Sequence, residues 1–146
     1  MQYRRFGEQY YVRLDPGDEI IRTLSDVCAR EGLTTASIHG IGGCDTATVG
    51  VFDRKTKSYH PTTVTALLEM VSLDGNLTRY EGAPYLHLHA LFAYRSSDEN
   101  AVLTGHLLEA VIGLTGEIVI TPADGVIGRR YIDELGIRVW DFEPSE

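Results

Sequence analysis

Over most of this chain apolar and polar positions alternate with a period of two, and one stretch alone switches to the helical period. In that stretch Ile20, Leu24, Val27 and Cys28 recur at helical spacing, with Ile21 widening the stripe. Asp15 is placed to cap it, Pro16 suits a first helical position, and Gly32 suits the residue just past the end. The pattern predicts a helix over 16–31. Elsewhere the spacing predicts strands at Tyr10–Leu14, from Ala36 through Ile41 to Phe52, over Thr62–Leu73, and continuing at Leu77–Tyr80. Gly40, Gly42 and Gly43 predict a bulge or a close backbone approach inside the second of these. Turns are expected over 53–59 and at Asp74-Gly75-Asn76. Ala110–Ile120 is apolar with Val and Ile gathered toward its end, although Leu107–Ile112 alone also fits a helical turn. Residues 130–142 read as a strand, a turn around Asp133-Glu134 and Gly136, and a last strand ending at Trp140. The predicted fold class is α+β: one domain over 1–146, largely an antiparallel sheet with one main helix.

The most informative run is Pro84–Ile120. His87 and His89 lie two apart in an alternating segment, so a strand points both the same way. Ser96-Ser97-Asp98-Glu99-Asn100 is a polar turn cluster, and a second apolar run carries Gly105-His106. If Arg95 and Asn100 flank the loop, antiparallel pairing sets Leu91 opposite Thr104 and His89 opposite His106. His87 then lies on the diagonal. Directly opposed Cβ atoms are about 4.5–5.5 Å apart and diagonal ones about 7–8 Å, so three imidazoles could converge on one ion. A one-residue slip would send His106 to the other face. Spacing of this kind also occurs in strands without any metal.

Composition narrows the setting. A chain of 146 residues with 43% hydrophobic residues can bury a core without staples. A net charge of −8 argues against broad attraction to nucleic acid or anionic membranes. No 18-residue apolar run and no signal-peptide core are present, so no membrane partner is expected and the cytoplasm is the expected location. Cys28 and Cys44 form no CxxC. They read as packing residues, Cys28 on the buried face of the helix and Cys44 at a strand edge. Three carboxylate or imidazole side chains stand out within the β pattern, His39, Glu69 and Glu117. Each is most simply an exposed residue on an alternating face.

These segments resemble the PPC (plants and prokaryotes conserved) domain across nearly the whole chain. The resemblance is carried by VRLDPGDEIIRTLSDVCAREGL at 12–33, ASIHGIGGCDTATVGVFD at 36–53, LLEMVSLDGNLT at 67–78, HLHALFA at 87–93, GHLLEAVIGLTGEIVI at 105–120 and DELGIRVWDF at 133–142. It implies an antiparallel sheet with one helix, assembled as a homotrimer, and a candidate DNA-binding or regulatory role. Plant members join the domain to an AT-hook, a short Arg-Gly-Arg element, which these 146 residues do not contain. Their positive clusters are Arg4-Arg5, Arg54-Lys55-Lys57 and Arg129-Arg130. The fold is also similar to that of acetolactate decarboxylase, a zinc enzyme with an HxH pair and a following Gly-His element. That likeness implies a divalent metal, zinc the expected ion, on His87, His89 and His106, with His39, Glu69 and Glu117 as candidate site-lining groups. Two functions follow. One is a trimeric module acting on DNA or a protein partner; the other is a metal-dependent enzyme acting on a small polar metabolite. A site with three protein ligands and an open position favours the enzyme, and a closed four-ligand site favours the module.

Overall fold

The computed structural model describes residues 1–143. Eight strands and one helix follow the order β1 (Gln2–Phe6), β2 (Gln9–Leu14), α1 (Ile20–Arg30), β3 (Ala36–Asp53), β4 (Ser58–Tyr80), β5 (Ala83–Ser96), β6 (Glu99–Pro122), β7 (Gly128–Ile132) and β8 (Ile137–Asp141). The first six strands form one antiparallel sheet in the order β1-β2-β6-β3-β4-β5, and β5 pairs back onto β6. That last pairing closes β6, β3, β4 and β5 into a barrel. β7 and β8 form a separate two-stranded hairpin. Predominantly antiparallel architecture with a single helix agrees with the α+β class predicted from the alternation.

One face of every long strand fills the interior. On β5, Leu88, Ala90 and Phe92 are buried, while His87 and Leu91 are half-buried and His89 is exposed on the other face. β4 keeps Leu68 and Met70 inside, slips by one residue between Met70 and Ser72, and then buries Leu73 and Leu77. The slip exchanges the faces of everything beyond it, so Asp74 and Asn76 point outward. The glycine run in β3 behaves as predicted. Pairing shifts between Gly40 and Gly42 against β4 and again between Gly42 and Cys44 against β6.

The helix starts later than its sequence suggests. Glu19, not Asp15, is the cap, and its carboxylate accepts from the backbone N–H groups of Ile21 and Arg22 at 3.1 and 2.6 Å. The backbone of residues 17–18 is engaged elsewhere. Gly17 N–H donates to the Ile112 carbonyl and Ile112 N–H donates to the Asp18 carbonyl. This short segment fills the edge of β6 between the part paired with β5 and the part paired with β2. Asp15 and Pro16 look like a helix start locally, but the β6 edge takes the chain first. Buried Ile20, Leu24, Val27 and Cys28 then pack into the common core.

Three further expectations are corrected. Residues 74–76 do not turn; β4 runs unbroken from Ser58 to Tyr80. Gly75 is required there by contact, because a Cβ on it would collide with the carbonyl oxygen of His87 on β5. Leu107–Ile112 is strand, since β3 pairs along one edge of that stretch and the Glu19 bridge at Val111 engages the other. Cys44 sits mid-sheet between Leu68 and Ile112, not at an edge. Both thiols are buried and unbonded, and burial pushes each up to about 12. Strand β1, short and mostly exposed, carries too little apolar pattern to be read from sequence.

Candidate metal centre

β5 and β6 pair in the predicted register: Arg95 faces Asn100, Leu91 faces Thr104 and His89 faces His106. The loop between them is tighter than expected, with pairing extending to Ser96 and Glu99 and Ser97 at positive φ. His87, His89 and His106 therefore share the outer face of the barrel. Their ring centroids are 5.2 Å (87–89), 5.0 Å (87–106) and 5.5 Å (89–106) apart. One ring nitrogen from each lies within 4.8 Å of the others. Nitrogens bound tetrahedrally at about 2.0–2.1 Å stand roughly 3.3 Å apart, so side-chain rotation alone would bring the three onto one ion.

The surroundings prepare these rings as ligands. Gly105 lets β6 press against β3 just before His106; a Cβ there would lie 2.8 Å from the Gly50 carbonyl oxygen. Tyr59 stacks on His106 at 4.6 Å with 24° between planes, and Phe52 meets Tyr59 edge-on. Burial, then the neighbouring charges of His87 and His89, pushes His106 down to about 4. Burial also lowers His87, followed by the charges of Arg129 and His89. His106 is thus neutral at pH 7, the form that binds metal. Its Nδ1 is buried without a hydrogen-bond partner among the described residues. A buried ring nitrogen left unsatisfied is costly, and the chemistry of three clustered imidazoles fits a divalent transition ion.

The remaining candidates are placed apart from this cluster. His39 is exposed on β3, paired with Asp74 on β4, and Asp74 in turn is paired with His89 on β5. Two strand spacings, roughly 9–10 Å, separate His39 from His89. Glu69 is exposed on β4 and Glu117 on β6, opposite Arg13. His39 and Glu117 line an open cleft of about 800 Å³ beneath the β1–β2 hairpin, and Glu69 with Glu117 borders a smaller one of about 350 Å³.

The neighbours of the histidines include residues that carry no local sequence signal for this site. Asn76 is the cross-strand partner of His87. Its Oδ1 accepts from Arg129 Nη2 at 2.7 Å and from Trp140 Nε1 at 3.3 Å. Arg129 Nε also donates to the buried Thr78 hydroxyl at 2.9 Å, and the guanidinium lies 5.0 Å over the Tyr85 ring. Asn76 was hidden inside an expected turn, and Arg129 within an ordinary-looking basic pair. Only the pairing of β4 with β5, and the β7–β8 hairpin folded against β4, bring them here.

A closed antiparallel barrel with one helix and a histidine triad on one external hairpin defines the class of this molecule. The chain belongs to the Plants and Prokaryotes Conserved (PCC) domain family, whose profile matches residues 1–124. No curated protein matches the chain. Among solved structures, a protein of Bacteroides thetaiotaomicron described as a candidate DNA-binding protein shares 34% identity, with 98% of each chain covered and a TM-score of 0.90. A metal-containing protein of Archaeoglobus fulgidus is 26% identical, with 96% of this chain and 98% of that one covered, at a TM-score of 0.84. A plant- and prokaryote-conserved protein of Pyrococcus horikoshii is 27% identical over 99% and 96%, at 0.83. A Staphylococcus aureus protein similar to alpha-acetolactate decarboxylase shares the fold at 14% identity and a TM-score of 0.56, over 81% of this chain and 53% of that one.

Proposed function

We propose that His87, His89 and His106 hold one divalent ion, zinc the expected one, and that the ion's open position makes this a metal-dependent enzyme for a small polar metabolite. The carrying observation is the cluster itself. Three ligand nitrogens lie within 4.8 Å of one another, and no Cys, Asp or Glu joins them among the described residues. Three protein ligands with a free position is the catalytic pattern, whereas structural zinc sites are closed by four. When bound, such an ion supplies Lewis acidity or an activated water. The chain's own residues orient and shield: Tyr59 fixes the His106 ring by stacking, and Asn76 lies opposite His87. The description of the Archaeoglobus relative as metal-containing is in keeping with this reading.

The assembly proposed is a homotrimer in the cytoplasm. Ile41, Val71 and Leu114 are more than half exposed and lie together around the smaller cleft. An apolar surface of this kind is suited to burial against a second copy. A second reading, DNA binding or regulation, rests on the description of the Bacteroides relative. Phosphate neutralisation dominates DNA affinity, and a net charge of −8 works against it.

Elemental analysis of tag-free protein, purified without added metal, tests the first reading. Close to one ion per chain is expected in the parent. His89→Ala should lose stoichiometric metal while its solution mass stays that of the parent. Metal retained by the variant would remove the assignment, as would a parent that takes up no zinc when offered it. A DNA titration across a salt series tests the second reading, and a response flat in salt would retire it.

A further inference from the structure

Beside the histidines lies a half-buried cation without a carboxylate. Arg129, on β7, makes no ion pair among the described residues. Its hydrogen bonds go to neutral oxygens only: Thr78 Oγ1, Asn76 Oδ1 and, at 3.5 Å, the Arg138 carbonyl. A guanidinium carries five N–H donors, so two remain, one on each terminal nitrogen. Burial holds this guanidinium below its ordinary value, and its charge reaches His87 and lowers that ring as well. A cation partly withdrawn from water with no counter-charge gains from an arriving anion. The guanidinium carbon lies 5.0 Å from the Tyr85 ring centroid, and the two free N–H groups project in the guanidinium plane. That is the geometry in which a planar carboxylate takes two parallel N–H bonds.

We propose that Arg129 is a binding residue for the carboxylate of a small ligand whose second oxygen occupies the open position at the histidine cluster. The inference rests on the metal reading above and names the substrate class for it. Asn76 links the two halves, since it is bonded to Arg129 and paired across the strands with His87. Directly paired residues on adjacent strands have Cβ atoms only about 4.5–5.5 Å apart, so a ligand of a few carbon atoms would reach from fork to cluster. The β7–β8 hairpin that supplies Arg129 lies beyond the family match at residues 1–124. Ligand choice in this chain is thereby assigned to a segment outside the barrel.

The test uses oxalate as probe and the chain's single tryptophan as reporter. Trp140 Nε1 shares the Asn76 oxygen with Arg129, so an anion on the fork should change its fluorescence. Zinc-loaded parent, Arg129→Lys and Arg129→Gln are titrated with oxalate and, separately, with inorganic phosphate, and zinc per chain is measured before and after. Saturable oxalate binding by the parent is expected, weakened at least tenfold in both variants, with zinc content unchanged. Lysine keeps the charge but loses the fork, so it separates paired hydrogen bonding from simple attraction. If Arg129→Gln fails to fold, Arg129→Lys gives the same reading. Equal oxalate affinity in parent and variants overturns the proposal, and so does a zinc-loaded parent that ignores oxalate. Tighter phosphate than oxalate binding overturns the carboxylate class. If the parent holds no zinc, the metal reading fails by itself, and the oxalate titration of metal-free protein still decides the role of Arg129.

Discussion

The smallest decisive unit here is a single hydrogen atom at position 75. β4 passes β5 so closely that any side chain there meets the carbonyl of His87, backbone that cannot swing aside. Gly75→Ala is expected to lower stability by about 1–3 kcal/mol, the usual cost of overpacking, and to weaken zinc binding by displacing the strand that carries His87. Chemical denaturation together with a zinc titration checks both halves. At the same scale His106 links stability to acidity. An unfolded chain protonates this ring near its ordinary 6.5, the folded chain only near 4. Between those values the unfolded state binds the extra proton, so metal-free protein should lose stability as pH falls from about 6.5 to about 4. Thermal melts of metal-free protein across that range would show it, and His106→Asn should flatten the slope.

At the scale of elements, the hairpin was the most legible part of the sequence. Alternation fixed the faces and the polar cluster fixed the loop, so the register of His89 against His106 followed from counting. The helix was legible in its apolar stripe but not in its start, because the competitor for residues 17–18 was the edge of β6, about a hundred positions away. Local signals at Asp15 and Pro16 carry no trace of that partner. Residues 74–76 failed for a similar reason: Asp-Gly-Asn reads as a turn unless the close approach of β5 is known. Glu19 has a double duty that follows from the true start. Its carboxylate caps α1 and also accepts from Ala110 N–H on β6 at 3.4 Å. Glu19→Ala should cost about 1 kcal/mol with zinc content unaffected. A melting point equal to that of the parent would mean the cap contributes nothing.

For the molecule as a whole, the site that sequence could not assemble is the one drawn from three regions. The histidines come from one hairpin, Asn76 from β4, and Arg129 from a hairpin joined to the barrel by side-chain contacts. Nothing local in the sequence relates position 76 to position 129. The exposed cluster of Ile41, Val71 and Leu114 is a property of the same scale, visible only when β3, β4 and β6 lie side by side. If the proposed trimer is built on this cluster, Leu114→Glu should place a charge in its interface and reduce the solution mass by light scattering from that of three chains to that of one. An unchanged mass would mean that these residues do not hold the copies together.

The late arrival of β6 has a consequence for how the chain reaches this state. β6 zips to β2 with Tyr10 against Ile120, to β3, and to β5, and residues 17–19 dock on the gap between. Two of the four pairings that close the barrel, those with β3 and β5, and the attachment of β2 must wait for this strand late in the sequence. Distant pairings of this sort slow the search, placing folding in the millisecond-to-second range. Until β6 arrives, β3 and β5 each present a bare edge, which is where a nascent chain would be most open to aggregation.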